Sequence, residues 1–238
     1  MTAPALQRAA WRHPEAAAGG VAALAWLLLV LPAGQPSPHV GHHGAGTGEW
    51  PLGLAGGWLL MTVAMMFPGA LPACRELALG ALWSRRQRTI ALFLVAYAGV
   101  WAGFGAVAWS LGHLLGVDAA IALPAVLAAA AVWQVTPWKW RAVRACHRLP
   151  LLPPRGGRAD AACLGAGVVY GRRCVVACWT PMLGMAAAGH GGVVLMALLT
   201  ALFSAETLAA RPARLAVPGA VLLAAAAAVS FLLGPATP

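Results

Sequence analysis

The chain has 238 residues, 61% of them hydrophobic and only 9% charged, where a soluble domain carries about 25% charged residues. A soluble enzyme is thereby excluded, and a mean hydropathy of +0.77 indicates a chain whose solvent is lipid. The net charge of +10 does not indicate a nucleic-acid partner, because the basic residues sit in short loops between apolar runs, as membrane topology dictates, with anionic lipid headgroups as neighbours.

Seven apolar segments stand out, at 17–32, 52–72, 89–112, 119–137, 174–189, 192–209 and 215–234, each near the roughly 20 residues a spanning helix needs. The expected fold is all-α, a polytopic transmembrane bundle of about seven spans forming one integral membrane domain. Arg8 and Arg12 precede the first segment, which ends in Leu-Pro-Ala-Gly without a small-x-small cleavage site. It reads as an uncleaved first helix.

The loop 33–51 carries His39, His42 and His43, with Glu49 following. Neutral imidazole suits copper, zinc and nickel, so these histidines are candidates to capture a metal ion, a solvated loop being the plain alternative. The second segment contains Met61, Met65 and Met66 before Pro68. Thioethers are soft ligands, and they are equally at home packing a core. The fourth segment ends in Gln134 and Thr136, polar groups suited to hydrogen bonding between helices.

The stretch 138–173 is rich in Arg, Pro and Gly. It reads as an Arg-rich inside loop, irregular over 150–160, with a short interfacial or re-entrant helix over 161–171. The fifth segment, the shortest, opens with Cys174 and Cys178, followed by Met182 and Met185. Steps of four, four and three place these sulfurs on one helical face. Thiolates and thioethers together favour Cu(I), and thiolates also bind zinc. At 1.5 Å per residue, Met65 and Cys178 fall at about one depth, each roughly 4–5 Å from mid-span on the same side. Glu206 lies near the end of the sixth segment. An ionisable group there is either functional or paired with Arg172, Arg173 or Arg211.

Charge tests the segmentation. With the N-terminus inside and the C-terminus outside, all sixteen Lys and Arg fall on the inside, as the positive-inside rule requires. None of the five cysteines then faces outside, so structural disulfides are not expected.

The run Trp58-x-x-Met61-x-x-Ala64-Met65-Met66-x-Pro68 resembles the signature of a bacterial family of predicted metal-binding integral membrane proteins, a domain of unknown function. Further resemblances follow in order: Tyr97, Trp101, Phe104 and Gly105; then Gln134-x-x-Pro137-x-Lys139 with Cys146 and Pro150; then Gly171-x-x-Cys174-x-x-x-Cys178-Trp179-x-x-Met182. Glu206 stands where that family tends to have a Glu-Lys pair, but Thr207 follows it here, and Ala177 precedes Cys178 where a second cysteine is frequent. The resemblance implies a location in the bacterial cytoplasmic membrane and metal handling.

Three expectations follow. The first is a membrane metal-handling protein that binds or relays a soft ion, copper in preference to zinc, in the service of a metalloenzyme; no organic cofactor is indicated. The second is a metal-free scaffold or accessory subunit of a membrane complex, and the third a small-solute transporter. No catalytic set can be assembled, so an enzyme is not expected.

Overall fold

A computed structural model describes residues 13–33, 51–116, 119–153, 155–188, 192–209 and 211–232. These form eight α-helices: α1 (Ala16–Ala33), α2 (Pro51–Gly80), α3 (Arg86–Leu115), α4 (Ala119–Gln134), α5 (Pro137–Cys146), α6 (Gly157–Ala188), α7 (Val193–Leu208) and α8 (Ala216–Leu232). Among the described residues there is no strand. Four stretches are long and apolar enough to cross a membrane: Ala55–Gly80, Trp83–Leu115, Gly157–Ala186 and Pro212–Leu232. Three shorter apolar helices accompany them, at Ala16–Leu31, Leu123–Gln134 and Val193–Leu208.

Each of the seven apolar segments corresponds to a helix, but two helices are longer than their apolar cores. Helix α2 runs through Pro68 and Pro72 to Gly80, beyond the expected end at 72. A proline releases the carbonyl four residues earlier, and the one freed by Pro68, at Ala64, accepts a hydrogen bond from the Trp26 indole at 2.8 Å. The stretch 138–173 is irregular at the described residues 147–153 and 155–156, within or beside the expected irregular 150–160, and helical at its other described residues. It contains α5 and the first half of α6, so the fifth segment belongs to the longest helix, of 32 residues. Its glycines do not break the helix; they let it approach α3. A Cβ at Gly167 would run into the Phe93 carbonyl, and one at Gly171 would lie 2.9 Å from Val100. Small residues at helix crossings are how membrane helices pack closely.

Specific pairs fix the directions. Helices α3 and α6 are parallel, joined at their starts by Arg88–Asp160 at 2.7 Å and further along by Tyr97–Cys174 at 3.2 Å. Helix α2 is antiparallel to α3: Trp58 donates to the Trp101 carbonyl at 2.8 Å, and Tyr97 to the Met66 carbonyl at 3.4 Å. Helix α4 is antiparallel to α6, since Trp133 donates to the Val176 carbonyl at 3.1 Å while Gly184 faces Leu127. Helix α3 packs against both α2 and α6, α4 lies between α6 and α8, α7 lies on α2, and α5 lies on α6. One continuous core results, with Phe93, Tyr97 and Trp101 of α3 fully enclosed at its centre.

Candidate metal centre

The sulfur stripe of α6 faces this core. Cys178, Met182 and Met185 are buried and Cys174 is half-buried. On α2, Met61, Met65 and Met66 are buried as well. Helices α2 and α6 are held together mainly through α3. The Tyr97 hydroxyl donates to the Met66 carbonyl and stands 3.2 Å from the Cys174 sulfur, so the thiol is its remaining donor. One turn away, Tyr170 of α6 donates to the Gly69 carbonyl of α2 at 3.2 Å. Tyr170 packs edge to face on Phe93 and Tyr97, with centroids 5.4 and 5.5 Å apart, while Phe93 and Tyr97 lie parallel at 6.3 Å, which fixes both hydroxyls.

These two bridges set the register. Met66 lies opposite Cys174 and Gly69 opposite Tyr170, so counting along antiparallel helices puts Met61 and Thr62 opposite Cys178. The depth expectation paired Met65 with Cys178. The observed register shifts that by about one turn, because α2 and α6 both extend well past their apolar cores. The buried hydroxyls of Thr62 and Thr180, one on each helix, have no hydrogen-bond partner among the described residues.

Helix α5 adds a second constellation. Thr136 caps it, its hydroxyl accepting from the Lys139 amide at 3.4 Å, and Pro137 occupies the first turn, where its missing N–H costs nothing. The helix buries Lys139, Trp140, Ala142, Val143 and Cys146. The Lys139 ammonium meets Glu206 of α7 at 2.9 Å, with side-chain exposures of only 1% and 2%. The Gln134 amide of α4 links the two, accepting from Lys139 and donating to Glu206. Trp140 locks the Gln134 carbonyl at 2.8 Å. Gly219 of α8 leaves room for the Gln134 side chain, which any Cβ there would strike. Glu206 thus pairs with Lys139, not with Arg172, Arg173 or Arg211. The lysine absent after Glu206 in sequence comes instead from α5.

The triad lies beside the sulfur stripe. Trp133, next to Gln134, packs on Trp179 with centroids 5.7 Å apart and donates to the Val176 carbonyl at 3.1 Å, which sets the triad at the level of Cys178. Cys146 is buried at the end of α5. Burial, then the nearby Cys178, push the Cys146 thiol up to about 12, against the opposing pull of Arg173. A cavity of about 30 Å³ adjoins Cys146, lined also by Gly69, Glu76, His147 and Tyr170. That volume suits a single water.

His39, His42 and His43 lie outside the described residues. Among the described residues no three His, Cys, Asp or Glu side chains converge as a metal-binding group, so a site here draws on thioethers. Sequence reasoning placed Lys139 in a basic loop and did not single out Tyr97 or Tyr170 as bridges. The signal for Lys139 was present: Thr136-Pro137 is a helix-start pair, and it puts Lys139 in a first turn with Trp140 and Val143 on the inner face.

The soft, buried donor set fits a copper ion as cargo. No curated protein and no solved structure matches the chain. The PpoB2 family model, described as copper chaperone, matches residues 55–230, a stretch that holds the methionines of α2, the sulfur stripe of α6 and the Lys139–Glu206 pair. The chain belongs to this copper chaperone family.

Proposed function

We propose that the protein works within the bacterial cytoplasmic membrane, holding Cu(I) between α2 and α6 for transfer to a copper enzyme. The observation that supports this most is that one Tyr97 hydroxyl joins the Met66 backbone carbonyl of α2 to the Cys174 thiol of α6, while the side chains of Met61, Met65, Met66, Cys178 and Met182 are buried in the same core. Cys174 and Cys178 are the primary ligands; Met61, Met65, Met66 and Met182 complete or relay the set. The soft ion is copper rather than zinc, because thioethers add to copper affinity and little to zinc. His39, His42 and His43 serve capture on the outer side, and the basic ends of the helices face the cytoplasm, as the charge asymmetry favours. The reading includes no catalytic step.

Metal analysis of detergent-purified, reduced protein without a histidine tag tests it. About one copper per chain, lost in the Cys174→Ser/Cys178→Ser double variant, is the expected result. Copper occupancy unaffected by that double change refutes the site.

A metal-free accessory subunit is the second reading, favoured by the way the buried methionines pack the core and Gly167 and Gly171 pack helix on helix. A stoichiometric membrane partner co-purifying with a chain that takes up no Cu(I) establishes it instead. The transporter reading weakens, because Glu206 is held by Lys139 and Gln134 rather than open to a pathway.

A further inference from the structure

Among the described residues, Lys139 and Glu206 are the buried charged residues, with side chains 1% and 2% exposed. They supply no sulfur ligand, yet they sit at the level of Cys178. A buried ion pair is costly to desolvate and by itself is weak evidence of stabilisation, so its position calls for a use. The following rests on the reading that Cys174 and Cys178 hold the ion.

Charge arithmetic separates the metals. The free thiol pair is neutral. When Cu(I) binds, two S–H bonds break, both protons pass to water and two Cu–S bonds form. The site then carries one negative charge. Zn(II) on the same two thiolates leaves it neutral. A new anion in a buried site is strongly disfavoured unless a cation lies close.

We propose that Lys139 is the counter-cation of a Cu(I)–dithiolate at Cys174 and Cys178, and that it sets selectivity for a monovalent soft ion over zinc. Glu206 and Gln134 are positioning groups. Without metal they hold the ammonium at the level of Cys178, where Trp133, next to Gln134, meets Val176 and Trp179; once the dithiolate forms, the ammonium serves both anions. The other nearby cations are less suited. Arg173 is committed to the carbonyls of Ala145 and Arg148 at 2.7 and 3.0 Å, and Arg172 is exposed.

The test uses the full purified chain and two variants, Lys139→Gln and Glu206→Gln, each of which keeps a hydrogen-bonding side chain in the triad. Cu(I) affinity is read anaerobically by competition with a chromogenic Cu(I) chelator, and Zn(II) affinity by an equivalent competition. Loss of one unit charge near the site predicts that Lys139→Gln weakens Cu(I) binding at least about tenfold, with Zn(II) affinity changing less than about twofold. Glu206→Gln removes the competing carboxylate and tightens Cu(I) binding by about three- to tenfold. Opposite signs for the two variants are decisive, since a purely structural pair predicts that both weaken both metals. An unchanged Cu(I)/Zn(II) ratio in Lys139→Gln overturns the proposal. If that variant does not fold, unchanged or weaker Cu(I) binding in Glu206→Gln overturns it. Full Cu(I) affinity in Cys174→Ser/Cys178→Ser removes the site itself, and this inference with it.

Discussion

Removing one member of the Lys139–Glu206 pair is the sharpest probe of how the bundle is held at its centre. The two side chains are 1% and 2% exposed and 2.9 Å apart, so solvent provides almost no screening. Glu206→Ala leaves the ammonium with the Gln134 side-chain oxygen as its hydrogen-bond acceptor and the faces of Trp140 and Phe203 beside it. Stranding one member of a buried pair costs roughly 3–5 kcal/mol, whereas replacing both by apolar groups is often neutral. Glu206→Ala and Lys139→Ala are each expected to destabilise by that amount. Lys139→Leu/Glu206→Leu should lose far less than the sum of the two single changes, although Gln134 then loses two hydrogen bonds of about 1 kcal/mol each. The assay is equilibrium unfolding in mixed detergent micelles, followed by tryptophan fluorescence and arranged as a double-mutant cycle. Single variants costing under about 1 kcal/mol, or energies that simply add, refute the view that a tightly desolvated ion pair joins α5 to α7.

Two further predictions concern the surroundings of the site. Gly167→Leu must force α3 and α6 apart, since even a Cβ meets the Phe93 carbonyl; a loss of about 1–3 kcal/mol or more is expected from overpacking, while Gly165→Leu, in open space, changes stability little. Cys146 has its thiol raised to about 12, so its neutral form is favoured in the folded state. Its stabilising contribution is therefore complete below the ordinary thiol value of about 8.5 and is lost as pH rises toward 12. Maleimide labelling of Cys146 in folded protein should stay slow from pH 7 to 9 and accelerate only on unfolding, as thiolate fraction controls the rate; fast labelling at pH 8 contradicts the burial.

The helices were legible in sequence because long apolar runs announce themselves by uninterrupted apolarity. Their ends were not. Hydropathy falls at Arg172 and Arg173, and Pro72 suggests a stop, yet helix α6 continues with Arg173 held by the carbonyls of Ala145 and Arg148 and Arg172 exposed, and helix α2 continues with its Ala64 and Gly69 carbonyls bonded by Trp26 and Tyr170. Glycines at 167 and 171 read as breakers in one dimension and serve as contact points in three. The sulfur stripe was legible from spacing alone. The Gln134–Lys139–Glu206 triad was not, because its members come from three helices and only the fold brings them together. The tyrosine bridges are invisible for the same reason, since an aromatic residue in an apolar run carries no mark of what its hydroxyl reaches.

The stagger of the helices makes one last prediction about how the bundle lies in a bilayer. The start of α1 reaches the start of α3, where Gln87 donates to the Pro14 carbonyl at 3.1 Å, level with Arg88 and Asp160. The end of α4 meets α6 at Val176. Because α3 and α6 are parallel, these two helix ends differ by roughly 15–24 Å along the long-helix axis. Yet α1 and α4 are both apolar and of similar length, 18 and 16 residues, and both belong in one hydrocarbon core about 30 Å thick. The conflict disappears if the long helices are inclined, so that the α1 side dips toward the basic face and the α4–α8 side rises from it. Helix α6, about 48 Å long, exceeds the core and is expected to tilt for that reason as well. Inclination also brings Arg85 and Arg88 to the same interface as Arg172, Arg211 and Arg214, which an upright bundle would hold at two separate depths. Nitroxide labels at Ala17 and Val135, both exposed, should then report equal depth against lipid-soluble and aqueous relaxants. Depths that differ by the full offset along α6 would mean an upright bundle, with α1 standing partly outside the membrane.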